Sequence, residues 1–192
     1  GLGWLLDLQN ADGGWPTFCR GWQKLPFDRS CADITAHALS AMNAWRGEVP
    51  AGIARRIDAA ERRGAAYLES AQRDDGSWVP LWFGNEHAPE AENPVFGTAR
   101  VIVGTDGLGE AFEARRAHGR SYLRSVQNAD GSWGGSRGVP GSVEETALAC
   151  EALARARDDG GEEALARGLR WICDRACSNE SPVATPIGLY FA

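Results

Sequence analysis

The sequence predicts an all-α protein built as an incomplete α/α barrel, or toroid, of helical hairpins. The main observation is a repeat: the pattern Gln-x-x-x-Gly-x-Trp occurs three times, at residues 9–15, 72–78 and 127–133. We call these segments the Gln–Trp turns. Each follows an amphipathic run, and successive copies lie about 60 residues apart, which leaves room for two helices and their loops. The predicted unit of the fold is therefore a helical hairpin.

The spacing of apolar residues defines the helices around these turns. An amphipathic run opens the chain and leads into the first turn. Further helices are predicted at residues 33–45, 51–71, 96–126 with a break near 104–109, 142–157 and 162–176. Ser142 and Glu145 have the spacing of a capping box, which indicates a helix start. A fourth, eroded copy of the turn is predicted near the end of the chain, with Ala176 in the Gln place and Pro182 in the Trp place.

The residue types of the turn explain why each helix stops there. Asn and Asp favour local turn bonds, and Gly tolerates a positive φ. The Gln amide is expected to bond backbone groups at a neighbouring helix end, an effect comparable to capping and worth about 0.5–2 kcal/mol. The Trp rings recur at fixed helix ends, which favours a structural role over carbohydrate binding. The residues predicted to fasten the turns are Gln9, Trp15, Gln72, Trp78, Gln127 and Trp133.

The composition limits the classes of function. A hydrophobic content of 43% allows one sizeable core, and a net charge of −6 without a dense basic block argues against nucleic acid as a partner. The five cysteines fit reduced thiols, and Cys173 and Cys177 lack a second Cys/His pair nearby, so no metal site is predicted. No secretion leader or membrane span is predicted. Both ends of the sequence look cut, so residues 1–192 are predicted to be one domain truncated at both ends.

The Gln–Trp turn resembles the QW motif of triterpene cyclases, and nearly the whole chain resembles the C-terminal half-barrel of squalene-hopene cyclases. A second segment strengthens this resemblance. Residues 30–39, Ser-Cys-Ala-Asp-Ile-Thr-Ala-His-Ala-Leu, are similar to the Ser-x-x-Asp-Val-Thr-Ala-His-Val-Leu stretch of that family. The resemblance implies proton-initiated cyclisation of squalene or a similar linear isoprenoid to a pentacyclic, hopanoid-type product, with no metal, nucleotide or other cofactor.

Asp33 and His37 are the predicted catalytic residues. Residues four apart share a helix face, so the carboxylate of Asp33 is expected to orient the imidazole of His37 and to favour its protonated form. In the family, the matching His is hydrogen-bonded to the catalytic aspartate of an Asp-x-Asp-Asp motif. A cation beside a carboxylic acid favours release of its proton. The alternative is a local helix bond without a catalytic role.

The resemblance also implies aromatic residues that line an apolar cavity. The matching positions are Phe18, Phe27, Trp82, Phe96 and Tyr190. Aromatic faces stabilise a carbocation without offering a nucleophile that would trap it. Phe96 stands where the family has Tyr, so one hydroxyl is missing. For each of these residues, ordinary core packing is the alternative interpretation.

The acid that starts the reaction in the family is absent from this sequence. No Asp-x-Asp-Asp motif occurs; Asp74-Asp75 lies within a turn and Asp158-Asp159 in a polar loop. In the family the motif precedes the first turn found here. The chain is therefore predicted to be one part of an isomerase of the squalene-hopene cyclase type, and to be inactive on its own.

The resemblance further implies partners and a location. The partners are a lipid-like isoprenoid such as squalene, the upstream half of the same enzyme and, left open, a second copy in a homodimer. The location is the cytoplasmic side of a membrane, by peripheral association. Two other functions stay open: a class II diterpene cyclase, or a non-catalytic helical module that binds an apolar partner. A prenyltransferase-like zinc site at Cys31, Asp33 and His37 is not favoured, because Cys31 is expected to point about 200° away from Asp33 on a helix.

Overall fold

The structure is a computed structural model, and it describes residues 1–17, 28–155, 160–178 and 184–189. The described residues form seven α-helices, which confirms the predicted all-α fold. The helices are α1 (Leu2–Leu8), α2 (Ala32–Trp45), α3 (Ala51–Ala71), α4 (Pro94–Gly104), α5 (Glu113–Ser125), α6 (Val143–Ala154) and α7 (Glu162–Cys177). The long run predicted over 96–126 is two helices, α4 and α5, separated at the predicted break.

Four short strands, which the sequence did not indicate, connect loops. β1 (Trp15–Pro16) pairs antiparallel with β2 (Ser30–Cys31). β3 (Phe83–Asn85) pairs antiparallel with β4 (Ile187–Leu189), with Gly84 opposite Gly188. The second pair brings the last described segment of the chain back to the loop that precedes α4.

Side chains cap the starts of α4 and α6. Ser142 Oγ accepts from the backbone nitrogen of Glu145 at 3.1 Å, which confirms the predicted helix start. The return bond of a capping box is absent in this described segment, because the backbone nitrogen of Ser142 donates to the carbonyl of Trp133 instead. At α4, Asn93 Oδ1 accepts from the backbone nitrogen of Phe96 at 3.0 Å.

The predicted fourth turn is wrong at its first position. Ala176 lies inside α7, which continues to Cys177. By contrast, Gln9 and Gln72 are the C-cap residues that follow the last residues of α1 and α3. Alanine has the highest helix propensity and no amide group to bond the turn, so the helix continues through this position. Pro182, the other predicted position, lies outside the described residues.

The helices form two layers with the core between them. In one layer, α2 packs against α4 and α4 against α6; in the other, α3, α5 and α7 each pack mainly against the preceding helix of the first layer. In a curved array of repeats, neighbouring helices are expected to lie closer together on the concave side than on the convex side. We therefore call α2, α4 and α6 the inner layer, and α1, α3, α5 and α7 the outer layer. Among the described helices, none combines the length and hydropathy that crossing a bilayer requires.

Candidate functional site

The glutamine amide fastens each Gln–Trp turn to the next outer helix. Gln9 Nε2 donates to the carbonyl of Gly13 in its own turn at 2.8 Å and to the carbonyl of Ala60 in α3 at 2.9 Å. The other copies repeat this pair of bonds: Gln72 to Gly76 and Arg115, and Gln127 to Gly131 and Ala164. Ala60 lies in the middle of α3. The predicted bond to a helix end is therefore wrong for the first turn.

The tryptophan of each turn is held at two nitrogens. In the second turn, Trp78 Nε1 donates to the carbonyl of Leu68 at 2.8 Å, and its backbone nitrogen donates to Thr98 Oγ1 at 2.9 Å. The first turn uses Leu5 and Thr35, and the third uses Leu123 and Thr146. All three rings are at most 1% exposed. They fill the core and offer no exposed platform to a ligand.

Each ring also packs on a glycine of the next outer helix, a feature that the sequence reasoning missed. A Cβ atom at Gly119 would lie 2.9 Å from Trp78 Cζ3, and one at Gly168 would lie 2.6 Å from Trp133 Cζ3. Gly64 receives Trp15 in the same way. A signal was present: each glycine precedes an aromatic-aliphatic pair by three residues, as Gly64 precedes Tyr67-Leu68. The turns are thus structural.

The start of α2 holds the first predicted catalytic residue, Asp33. Its side chain is buried, and its Oδ1 accepts from the thiol of Cys31 at 2.6 Å. Cys31 is the N-cap of α2 and lies outside the helical turn, so the expectation that it points away from Asp33 is wrong. Burial, and then the nearby carboxylate, raise the pKa of the Cys31 thiol far above its usual value. A protonated thiol is a poor metal ligand and a poor nucleophile.

His37, the second predicted catalytic residue, is exposed on α2. Its Nε2 lies 2.6 Å from Nη2 of Arg100, which comes from α4, the neighbouring helix of the inner layer. No hydrogen bond joins Asp33 to His37 in the described structure. This corrects the prediction that Asp33 orients the imidazole. The short Asp33 carboxylate binds the thiol beside it, while the long side chain of Arg100 reaches across from α4.

The charge of His37 also differs from the expectation. Partial burial and the positive charge of Arg100 lower the pKa of the imidazole, and together they outweigh the raising effect of Asp33. The prediction that Asp33 keeps His37 protonated is therefore wrong in this structure. The neutral ring is favoured at physiological pH.

A buried carboxyl group that the sequence reasoning took only for a helix cap joins three segments. Glu145 is fully buried in α6. Its Oε1 accepts from Asn85 Nδ2 at 2.6 Å and from Asn93 Nδ2 at 2.8 Å, and its Oε2 accepts from Ser142 Oγ at 2.7 Å. Burial raises the pKa of Glu145, and these hydrogen bonds only partly oppose that rise. The hydrogen bonds from Asn85 and Asn93 to Glu145 fix the loop before α4 against α6, which is a structural role.

Two of the five aromatic residues predicted to line the cavity, Trp82 and Phe96, lie among the described residues. Trp82 is 6% exposed, and its Nε1 donates to Thr17 Oγ1. Phe96 is 7% exposed and stacks on Phe83, with ring centroids 4.8 Å apart. Phe83 was not anticipated. The three remaining predicted positions, Phe18, Phe27 and Tyr190, lie outside the described residues.

A surface cavity of about 430 Å³ lies beside the start of α2. Its walls include Cys31, Tyr67, Trp82 and Phe83. Burial, followed by the negative groups nearby, raises the pKa of the Tyr67 hydroxyl, so this phenol stays neutral like the thiol. These four side chains give one wall of the cavity an apolar and uncharged character.

The described residues contain no group of three or more His, Cys, Asp or Glu side chains that could hold a metal ion. Asp75, in one of the acidic pairs, accepts from the backbone nitrogen and the hydroxyl of Ser77 and so stabilises its turn. The other acidic pair, Asp158-Asp159, lies outside the described residues.

Residues 1–139 match the family model described as the squalene-hopene cyclase C-terminal domain. The chain is 34% identical to drimenyl diphosphate synthase of Streptomyces showdoensis, over 90% of this chain and 29% of that protein. It is 28% identical to squalene–hopene cyclase of Bradyrhizobium diazoefficiens, over 90% of this chain and 27% of that protein.

A solved structure is also similar to this chain. The ent-copalyl diphosphate synthase from Streptomyces platensis superimposes with a TM-score of 0.70 at 27% identity, over 97% of this chain and 33% of that chain. The chain thus spans about a third or less of the length of these proteins.

Proposed function

The chain belongs to the squalene-hopene cyclase C-terminal domain family, a family of terpene cyclases, and on that premise we propose that it forms part of an enzyme that protonates a linear isoprenoid and closes its rings. The family match is the observation that carries the proposal. The expected substrate is squalene or a similar polyene, and the expected product is a polycyclic terpenoid of the hopanoid type.

His37 supports this proposal by its position. It lies on an inner-layer helix and is exposed, so a group from another part of the longer enzyme can reach it. The proton donor is then a carboxylic acid outside this chain, and His37 hydrogen-bonds to it. A hydrogen bond to the carboxylate form favours loss of the proton.

The aromatic side chains give the proposed cavity its surface. Trp82 and Phe83 line the cavity beside α2, and Phe96 stacks on Phe83. An aromatic face attracts a carbocation through its quadrupole and does not react with it. Phe18, Phe27 and Tyr190 are proposed to extend this surface, in line with the family resemblance.

A second substrate class is favoured by a specific observation. Two relatives at 34% and 32% identity are drimenyl diphosphate synthases, and the structural relative is an ent-copalyl diphosphate synthase. A prenyl diphosphate is therefore the alternative to squalene. We further propose, for either lipid-like substrate, peripheral association with a membrane and contact with the upstream half of the enzyme.

The test is expression of the complete gene, followed by incubation with squalene, farnesyl diphosphate and geranylgeranyl diphosphate in separate reactions. A cyclic terpenoid seen by gas chromatography and mass spectrometry identifies the substrate class. Absence of product from all three substrates, with a folded enzyme, overturns the proposal. The 192 residues alone are expected to form no product.

The role of His37 has its own test in the complete enzyme. His37→Ala is expected to lower kcat by about 100-fold, the usual scale of a lost acid–base partner. His87→Ala is the matched control, since His87 is also exposed and lies outside the proposed site. Equal activity of the two variants contradicts the role of His37.

A further inference from the structure

Arg100 contacts His37, but the proposed function gives Arg100 no role. The guanidinium carries only donors, so the ring nitrogen that faces it, Nε2, must be the acceptor. An accepting Nε2 carries no proton. The neutral imidazole then keeps its proton on Nδ1, and Nδ1–H is left as the donor of the ring.

His37 is the side-chain partner that the structure gives Arg100 among the described residues. The ion pairs between described residues involve other arginines, such as Arg73 with Glu92, and none involves Arg100. Among the described residues, Arg100 thus has no carboxylate partner, and its guanidinium faces the ring nitrogen of His37. The nearby carboxylate of Asp33 is buried against Cys31.

The charged groups that act on His37 are Arg100, from the packed helix α4, and Asp33, from its own helix α2. Their opposite effects on the pKa of His37, together with partial burial, leave the ring with a lowered pKa. An imidazolium therefore does not supply the positive charge at this place. The guanidinium does, because it stays protonated throughout the physiological pH range.

We propose that Arg100 is a positioning residue for His37: it fixes the imidazole as the neutral Nδ1–H tautomer and supplies the permanent positive charge behind it. This rests on the proposed function of His37. The imidazole then donates its Nδ1–H to the carboxyl group that protonates the substrate, and the charge of Arg100 acts on that carboxyl group through the ring. The charge at this site thus persists above the pKa of histidine.

The first experiment reads the tautomer of His37 in the 192-residue protein. Histidine labelled with ¹⁵N is followed by long-range ¹H–¹⁵N correlation spectra during a pH titration. The wild type is expected to show the Nδ1–H tautomer, with Nε2 unprotonated, near pH 7. Arg100→Gln is expected to mix the two tautomers and to raise the titration midpoint of His37 by about 0.5–1 pH unit, the effect of one charge at this range in water.

Two variants serve as controls in the same spectra. Arg100→Lys keeps the positive charge and should hold the midpoint near the wild-type value. Arg115→Gln removes a distant arginine that pairs with Glu69 and should leave His37 unchanged. An unchanged tautomer and midpoint in a folded Arg100→Gln variant overturn the proposal.

The second experiment uses the complete enzyme. Arg100→Gln is expected to lower kcat by about tenfold or more with little change in KM, and Arg100→Lys to recover part of the loss. Wild-type kcat is expected not to fall as the pH rises through about 6.5, where an imidazolium would lose its charge. A kcat within twofold of wild type for Arg100→Gln overturns the catalytic part, whereas a wild-type enzyme without product contradicts the proposed function itself.

Discussion

The backbone nitrogen of Trp78 donates a hydrogen bond to the hydroxyl oxygen of Thr98, 20 residues later in the chain, at 2.9 Å. Both residues are almost fully buried. The bond fixes the second Gln–Trp turn to the first turns of α4. The same bond occurs in the other two copies, at Thr35 and Thr146. It gives a structural reason for Thr35, which lies in the segment 30–39 that resembles the cyclase family.

Replacing Thr98 with Val should destabilise the chain by about 1–3 kcal/mol, because the buried N–H of Trp78 would lose its acceptor while the side-chain volume stays nearly constant. Urea unfolding followed by tryptophan fluorescence measures the change. Thr98→Ser keeps the hydroxyl and should cost clearly less. Equal stabilities of the two variants would show that the bond contributes little.

Replacing Gly168 with Ala should cost about 1–3 kcal/mol by overpacking. The added Cβ would lie 2.6 Å from both Cys150 Sγ and Trp133 Cζ3. Gly52→Ala is the matched control, since a Cβ at Gly52 in α3 meets no atom within 4 Å. This control should raise stability by about 0.5–1 kcal/mol through helix propensity. Thermal unfolding of both variants separates the two effects, and a stable Gly168→Ala variant would contradict the tight contact.

Replacing Gln127 with Leu should cost about 1–3 kcal/mol, because the carbonyls of Gly131 and Ala164 lose a shared donor. Gln127→Glu should be at least as destabilising at neutral pH, since its carboxylate would face two carbonyl oxygens. Acidification should recover part of that loss, because a protonated carboxyl group has one O–H donor. Chemical unfolding at several pH values tests this order, and a Glu variant that matches the wild type at neutral pH refutes it.

Stability should fall as the pH rises because of Glu145. Its folded-state pKa is raised above the unfolded value, mainly by burial. The stabilising contribution is therefore fully present below the unfolded pKa of about 4.5 and is lost as the pH rises through the folded pKa. Glu145→Gln does not titrate, so its stability relative to the wild type should increase over that range.

The control for Glu145 is Glu163, which is exposed in the first turn of α7 and does not contribute to the pKa shift of Glu145. Glu163→Gln should keep the fall of stability with rising pH, because it leaves Glu145 in place. Free energies of unfolding measured from about pH 4 to 8 provide the comparison. A pH-independent difference between Glu145→Gln and the wild type would mean that the pKa of Glu145 is not raised.

Local pattern was enough to predict most helices. The bounds of α3 were predicted as observed, and the break between α4 and α5 lies where Gly104 and Gly109 interrupt the pattern. The Gln and Trp positions of the turns were also readable, since their spacing repeats. The short strands were not readable: two or three residues carry no periodicity, and β4 pairs with a strand far away in the chain.

The candidate site was predictable in its residues but not in its contacts. His37 was found from the segment around it, yet its partner is Arg100, which is 63 residues away and carries no motif of its own. Glu145 was taken for a helix cap, because its bonds to Asn85 and Asn93 span 60 and 52 residues. The hydrogen-bond partner of Asp33 was predicted wrongly. Cys31 is the N-cap of α2 and not part of the helix, so its thiol can reach the Asp33 carboxylate.

The sequence by itself determined the repeated hairpin, its turns and the family, because helix periodicity and turn chemistry act between residues close together in the chain. Only the tertiary structure decided which charge faces His37, which group donates a hydrogen bond to Asp33 and where Glu145 is buried. Those contacts depend on how α2, α4 and α6 pack side by side. Packing brings together groups whose separation in sequence leaves no local pattern.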